Sequence, residues 1–394
     1  MITVEEAKQL LLKEQLIGKT ISKSISEANG YVLAADVYCT MDLPSFDNSS
    51  MDGYAVAIDE NNPTQTFELI GEIKAGANIE YTLQFGQAVR IFTGAAIPQT
   101  ANAIVIQENV ELSDKHIHVN GNIKVGAYIR RKGSMIIKGE LALKKGHILN
   151  AASIGFIASL GLTHVDVFEK PKVSILVTGD EIIKPGNSLL AGQIYESNSY
   201  TLQAALKQMN IEVLNMLHAT DDELALRSQL NKCFQASDII LLTGGISVGK
   251  YDLVHNMLQE FDVKTIFYKI AQKPGKPFYA GKRNNQFVFA LPGNPASVLV
   301  CFYEYVFTFI RKFSGIEDAS LVKTKFTLLK EIKNSEERAQ FLRAKTNDSG
   351  VMPLEGQDSF MLLSFAHSNA IIYLPKGTKE VKQNDLVEVH LLPL

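Results

Sequence analysis

The seven residues Thr243-Gly244-Gly245-Ile246-Ser247-Val248-Gly249 constrain this chain most tightly. They follow the apolar run Asp238-Ile239-Ile240-Leu241-Leu242 and precede a helix-patterned segment from Asp252. A buried strand that empties into a glycine-rich turn and then a helix is how α/β proteins build an anion site. Glycines let backbone N–H groups approach a phosphate, and the helix N-terminus adds partial positive charge. No G-x-x-x-x-G-K-[ST] or G-x-G-x-x-G pattern is present, so the nucleotide mode differs from those two.

The surrounding sequence supports that frame. From Lys170-Pro171-Lys172 onward, strand and helix patterns alternate: Val173–Val177, then a helix over Asn198–Met209, Glu212–Leu217, a helix over Asp222–Cys233, Ile239–Leu242, and a helix over Asp252–Glu260. Val263–Tyr268 follows, then a hairpin of Phe278–Ala280 with Gln286–Ala290, then a buried helix over Ala296–Lys312. Such alternation predicts a doubly wound, mostly parallel sheet.

Ligands in such sheets bind beyond the carboxyl ends of the strands. Those ends carry Thr178-Gly179-Asp180-Glu181, Thr220-Asp221-Asp222, the glycine turn with Asp252 beyond it, Lys269 through Lys273-Pro274-Gly275-Lys276-Pro277, and Leu291-Pro292-Gly293-Asn294-Pro295. Capping alone accounts for several of these. Asp222 suits a helix N-cap, and Asn294-Pro295 suits an N-cap followed by proline. The rigid loop with Lys273 and Lys276 is better suited to an oxyanion. Lysines with carboxylates fit a phosphate plus a divalent cation.

The rest of the chain reads differently. Residues 1–37 and 136–170 are expected to form a helical domain, opening on a capping box of Thr3 and Glu6. Residues 38–135 break into short β runs, an inserted β domain; 171–318 form the α/β domain, and 319–394 a small C-terminal β-barrel domain. At 394 residues a multidomain α/β protein is expected. A net charge of −3 argues against a nucleic-acid or membrane-surface binder. Cys39, Cys233 and Cys301 lie far apart without metal spacing, and read as reduced thiols of a cytoplasmic protein. His116 and His118 alternate on a polar hairpin and suggest an outer face, and no hydrolase triad or elbow is present.

A second dense polar loop, Pro44-Ser45-Phe46-Asp47-Asn48-Ser49-Ser50-Met51-Asp52-Gly53-Tyr54-Ala55, stands far from the α/β region in sequence, and Arg90-Ile91-Phe92 ends in the turn Thr93-Gly94-Ala95. An Asp-Gly hairpin turn explains Asp52-Gly53 but not the run before it. Taken in order with Thr178–Glu181, Thr243–Gly249, Lys273–Pro277 and Leu291–Pro295, these motifs resemble the molybdopterin molybdenumtransferase family, the MoeA-type proteins that include the E domain of gephyrin, over essentially the whole chain.

The resemblance implies a homodimer of four-domain subunits, whose α/β domain is similar to the MoaB/MogA-type adenylyltransferase fold. It implies a molybdenum insertase in which adenylylated molybdopterin and molybdate give molybdenum cofactor and AMP with Mg²⁺. It also implies handover partners, a molybdopterin adenylyltransferase and molybdoenzymes. By position, Asp52, Thr93, Glu181, Asp221 and Asp252 match catalytic residues, with Glu181, Asp221 and Asp252 also at the metal. Gly244, Gly245, Ser247, Gly249, Lys269, Lys273, Lys276, Pro292, Asn294 and Pro295 match the substrate region. Arg343 and Ser364, or Ser359 in its place, match the molybdate side. One departure stands out: Arg130-Arg131-Lys132-Gly133-Ser134 leads to Met135, where relatives carry an acid. Two alternatives accompany this reading: a non-catalytic molybdopterin or molybdate carrier or scaffold of the same fold, and a nucleotide pyrophosphatase of the competence-damage type sharing only the α/β domain.

Overall fold

The structure, a computed structural model, describes the chain apart from residues 15, 62, 63, 78–80, 247–252, 335, 336 and 394. The described residues fall into two compact units. One comprises Met1–Lys23, Gly30–Ala34 and Asp166–Leu394; the other comprises Ser24–Asn29 and Ala35–Val165.

The larger unit is built on a six-stranded sheet in the order Val213–Ala219, Val173–Thr178, Ile239–Thr243, Gln286–Leu291, Tyr279–Arg283, Lys264–Tyr268. The first four strands are mutually parallel, and Tyr279–Arg283 alone runs against its neighbours. Val173–Thr178 and Ile239–Thr243 are buried at every residue. That is why they read as unbroken apolar runs: helices cover both faces of a parallel sheet. One face packs against Asn198–Gln208, the helix beginning at Pro295, and Val4–Lys13. The other packs against Glu223–Ala236 and Leu253–Glu260. The strand order reverses between Val173–Thr178 and Ile239–Thr243, which places the crevice of a doubly wound sheet at Thr178 and Thr243.

Helix starts follow the expected cap chemistry in part. Thr3 and Glu6 form the reciprocal capping box of Val4–Lys13, whose Val4, Ala7 and Leu11 are buried. The Asp222 side chain accepts from Ala225 N, so Asp222 is a cap and Asp221 is left for other work. Asn294 occupies the N-cap position without a side-chain cap bond. The helical run from Pro295 to Phe313 contains a π-helical turn over Phe302–Val306.

The expected helicity of the first 37 residues is corrected: among the described residues only Val4–Lys13 is helical, and Thr20–Ser24 is a strand. The alternation Thr-Ile-Ser-Lys-Ser after Gly18 has the period of a strand, not a helix. At the C-terminal end, strands run in the order Gln272–Lys273, Ala339–Asn347, Ala370–Leu374, Leu386–Leu391, Lys323–Thr327, with Gly350–Pro353 on the Ala339–Asn347 strand. A bridge from Leu328 to Val351 curls this sheet back on itself around a core of Leu328, Ala344, Ile372 and Val389.

In the second unit, six strands pair in the order Ala103–Ile106, Gly53–Val56, Gln87–Ile91, Thr66–Ile73, His116–Val119, Val110–Ser113. Asp52-Gly53 is not a hairpin turn: Gly53 opens a fully buried central strand, where a Cβ would sit 1.9 Å from Val105 O. His116 and His118 face outward, as the alternation suggested. All three cysteines are buried and free. Among the described residues no helix is long and apolar enough to cross a membrane.

Candidate functional site

A cavity of about 600 Å³ lies at the carboxyl edge of the α/β sheet. Its wall carries Thr178, Glu181, Asn198, Asp221, Gly244, Gly245, Pro292, Asn294 and Pro295. Four strand ends therefore meet where the sheet topology predicts. Gly244 and Gly245 both have positive φ (+86° and +65°), so this turn needs glycine for its backbone path. The helices starting at Asn198 and Pro295 begin on the cavity wall, so their N-terminal dipole ends favour an anion there.

The charge on the wall is not what the lysine-rich loop suggested. Among the described residues the lining includes Glu181, Glu196 and Asp221 but no lysine or arginine. Lys269, Lys273 and Lys276 are absent from it, although their neighbour Pro277 is present. Chain pairing explains this: Gln272-Lys273 joins the edge of the C-terminal sheet against Ala339 and Gln340. Lys269 lays its Nζ 4.6 Å over the Tyr268 ring.

Acids dominate the rim. Asp221 N donates to Asp180 Oδ1 at 3.0 Å. Partial burial pushes the Asp221 carboxyl up, and the Asp180 and Glu181 carboxylates push it further. Repulsion of this kind is relieved by a hard cation, and carboxylate oxygens are the donors Mg²⁺ prefers. Among the described residues no three His, Cys, Asp or Glu side chains are close enough to hold a metal unaided. Bound phosphate oxygens would have to complete the shell. Ser247, Gly249 and Asp252 lie outside the described residues.

Arg343 and Ser364 are not on this wall. Arg343 is completely buried; its Nε donates to Ser364 Oγ at 3.1 Å, and its Nη2 donates to the Gly356 and Asp358 carbonyls at 2.7 and 3.0 Å. Burial lowers its pKa to about 10. The pair thus braces the 356–364 segment from behind. Ser359 is the serine nearer the cavity: its Oγ accepts from Asn294 Nδ2 at 2.7 Å, and Phe360 joins the wall.

In the second unit, Asp52 is exposed, and its Oδ1 accepts from both Thr93 N and Thr93 Oγ1 at 2.7 Å. Those two donors hold its carboxyl below the usual carboxylate range. Oδ2 takes no part in these bonds and can meet a ligand. The polar loop is held from several sides. Asp47 accepts from Arg131 Nη1 and Lys132 N at 2.7 Å, and Ser49 N donates to Ala95 O. Met135 is exposed, its N–H donating to Leu43 O at 2.9 Å.

Residues 2–161 match the MoeA N-terminal region (domain I and II), 174–312 a probable molybdopterin binding domain, and 325–392 the MoeA C-terminal region (domain IV). The chain belongs to the MoeA family. Molybdopterin molybdenumtransferase of Haemophilus influenzae is 33% identical over 410 residues, covering 100% of both chains. That of a Nostoc species is 33% identical over 93% of this chain and 87% of its own. The molybdopterin biosynthesis MoeA protein of Pyrococcus horikoshii superposes with a TM-score of 0.82 at 30% identity, over 99% of each chain. The MoeA fold accounts for the sheet order and for the motif order alike.

Within that MoeA frame, Thr178, the first residue of the strand-end motif Thr178–Glu181, and Asn198 both line the cavity, and Asn198 did not stand out as a site residue in the sequence. Asn198 follows Glu196-Ser197 at a helix start, where a cap explains the same letters.

Proposed function

We propose that this protein is a molybdenum insertase: it takes adenylylated molybdopterin and molybdate and yields molybdenum cofactor and AMP. The observation that carries the reading is the cavity at the strand-order reversal, where a two-glycine turn and two helix N-termini meet a rim of carboxylates. That combination suits a phosphoanhydride. Backbone N–H groups receive phosphate oxygens, and the acidic rim requires a cation to accompany them. Full-length relatives named molybdopterin molybdenumtransferase support the reading and disfavour a non-catalytic carrier.

In this reading Glu181 and Asp221, with Asp252, would hold Mg²⁺. The cation supplies charge stabilisation at the phosphoanhydride as it breaks. Gly244, Gly245, Ser247 and Gly249 cradle phosphate; Pro292, Asn294 and Pro295 shape the adjoining wall. Asp52, whose carboxyl is kept ionised by Thr93, is assigned a catalytic role by its place in the Met51-Asp52-Gly53-Tyr54 motif. Lys269, Lys273 and Lys276 attract the anionic substrates at longer range, and Arg343 with Ser364 positions the segment carrying Ser359 at the molybdate side. The working form is a cytoplasmic homodimer that receives substrate from an adenylyltransferase and delivers cofactor to molybdoenzymes.

The test is AMP release. Purified protein given adenylylated molybdopterin, molybdate and Mg²⁺ is expected to release AMP and form cofactor, read by chromatography and by reconstitution of an apo-molybdoenzyme. Asp52→Ala is expected to slow release roughly tenfold or more while leaving AMP affinity nearly unchanged. Stoichiometric binding without AMP release would identify a carrier. Wild-type turnover by Asp52→Ala would remove Asp52 from the chemistry.

A further inference from the structure

Five buried side-chain polar atoms lack a hydrogen-bond partner among the described residues, and two of them, Thr178 Oγ1 and Asn198 Oδ1, belong to residues of the cavity wall. A third, Thr243 Oγ1, lies on the neighbouring strand. Val177 pairs with Thr243 across adjacent strands, so both threonines stand where the strand order reverses. Buried polar atoms are nearly always paired, so two unpaired ones on one cavity wall mark a place completed by something bound.

The orientation of Asn198 is fixed. Its Nδ2 donates to Gly293 O at 2.8 Å, leaving Oδ1 as the free end. Asn198 is only 7% exposed and lies on the cavity wall. An amide oxygen accepts and cannot donate, so its partner must carry an O–H or N–H. A phosphate ionised at neutral pH carries none. Thr178 Oγ1 differs, because a hydroxyl can donate. It lies 3.0 and 2.7 Å from where Cβ atoms on Gly244 and Gly245 would be, directly beside the glycine turn.

We propose that Asn198 is a specificity-determining residue that accepts a hydrogen bond from a ribose hydroxyl of the bound adenylate, while the Thr178 hydroxyl donates to its phosphate. The inference rests on the adenylate reading above. Proximity selects the ribose. A Cβ on Gly293 would lie 3.8 Å from Gly244 Cα, and Asn198 bonds Gly293 O, so Gly293 links the Asn198 amide to the turn. With phosphate on the turn, the sugar hydroxyls are a few bonds away. The adenine amine is at the far end of the nucleoside.

Calorimetric titration of the intact protein with AMP, 2′-deoxy-AMP, 3′-deoxy-AMP and IMP, all with Mg²⁺, tests this. One deoxy analogue is expected to bind about fivefold to thirtyfold more weakly than AMP, and IMP, in which a carbonyl replaces the adenine amine and N1 carries a proton, less affected than that analogue. Asn198→Ala should reduce AMP to the level of the weaker analogue and erase the difference between them. Thr178→Val should weaken AMP and both deoxy analogues by one common factor. Equal binding of AMP and both deoxy analogues by the unaltered protein overturns the proposal without recourse to any variant. So does a loss confined to IMP, which would move Asn198 to the base. No binding of AMP at all would instead sink the adenylate reading itself.

Discussion

Gly244→Ala is expected to abolish adenylate binding, with AMP affinity falling more than roughly a hundredfold. The backbone at Gly244 has φ +86°, and a Cβ there would sit 2.3 Å from the carbonyl oxygen of Thr178. Neither problem has a cheap solution. A positive φ costs an alanine about 1 kcal/mol or more, and a contact with a backbone oxygen cannot be relieved by turning a side chain. The turn must move, or the Thr178 strand end must. Either shift would redirect the N–H groups proposed to receive the phosphate, and binding built on aligned donors is lost before the sheet is. Gly245→Ala should behave similarly, with a smaller effect. Its Cβ would meet Val254 Cγ2 at 2.6 Å and Thr178 Oγ1 at 2.7 Å, both side-chain atoms with some freedom. Calorimetry with AMP and Mg²⁺ measures the loss, and circular dichroism shows that the sheet survives. Wild-type AMP affinity in Gly244→Ala would mean that phosphate binds elsewhere.

That result bears on how much of this molecule the sequence displays. Val173–Val177 and Ile239–Leu242 are legible because a strand covered on both faces admits only apolar residues, and glycine turns are legible because few other residues adopt their backbone. Ala370–Leu374 announces itself in the same way, while Leu386–Leu391 is read from alternation, with Val387 and Val389 buried and Leu386 exposed. The lysines do not. Lys269, Lys273 and Lys276 follow a strand end, yet the segment holding Lys273 is drawn to the C-terminal sheet by pairing with Ala339 and Gln340, a long-range contact that no local pattern encodes. Arg343 shows the same limit: an arginine in a strand looks available for an anion, and only the fold reveals that Ser364, Gly356 and Asp358 take its Nε and Nη2 while its buried Nη1 is left without a partner. Asn198 fails in the opposite direction. A helix start explains it so well that its unpaired oxygen becomes visible only when its neighbours are counted. The π turn at Phe302–Val306 is hidden because a helix apolar all round shows no face whose register could slip.

Glu304, on that π turn, carries the second large effect: Glu304→Ala is expected to cost about 3–5 kcal/mol, lowering the thermal midpoint by roughly 10 °C. Its side chain is 2% exposed. Oε2 accepts from Lys8 Nζ at 2.6 Å, and Oε1 meets His390 Nδ1 at 2.6 Å. Glu304 thereby ties the first helix and the last strand to the helix that closes the α/β domain. Burial alone would push its carboxyl up; Lys8 and His390 outweigh burial and hold it down at about 2, against an ordinary value of 4.5. A depressed carboxyl stabilises the fold above its unfolded pKa and loses that contribution as pH falls. The loss should therefore begin near pH 4.5 and run toward pH 2, amounting to about 3 kcal/mol. Glu304→Gln separates charge from shape. It keeps the volume and an acceptor for Lys8, so it should fold, but its stability at pH 7 should fall toward that of the acidified wild type and vary less between pH 5 and pH 3. Denaturant titrations at pH 7, 5 and 3 decide the matter. Parallel pH profiles for wild type and Glu304→Gln would show that the Lys8–Glu304–His390 cluster is not what links the two ends of the chain to its centre.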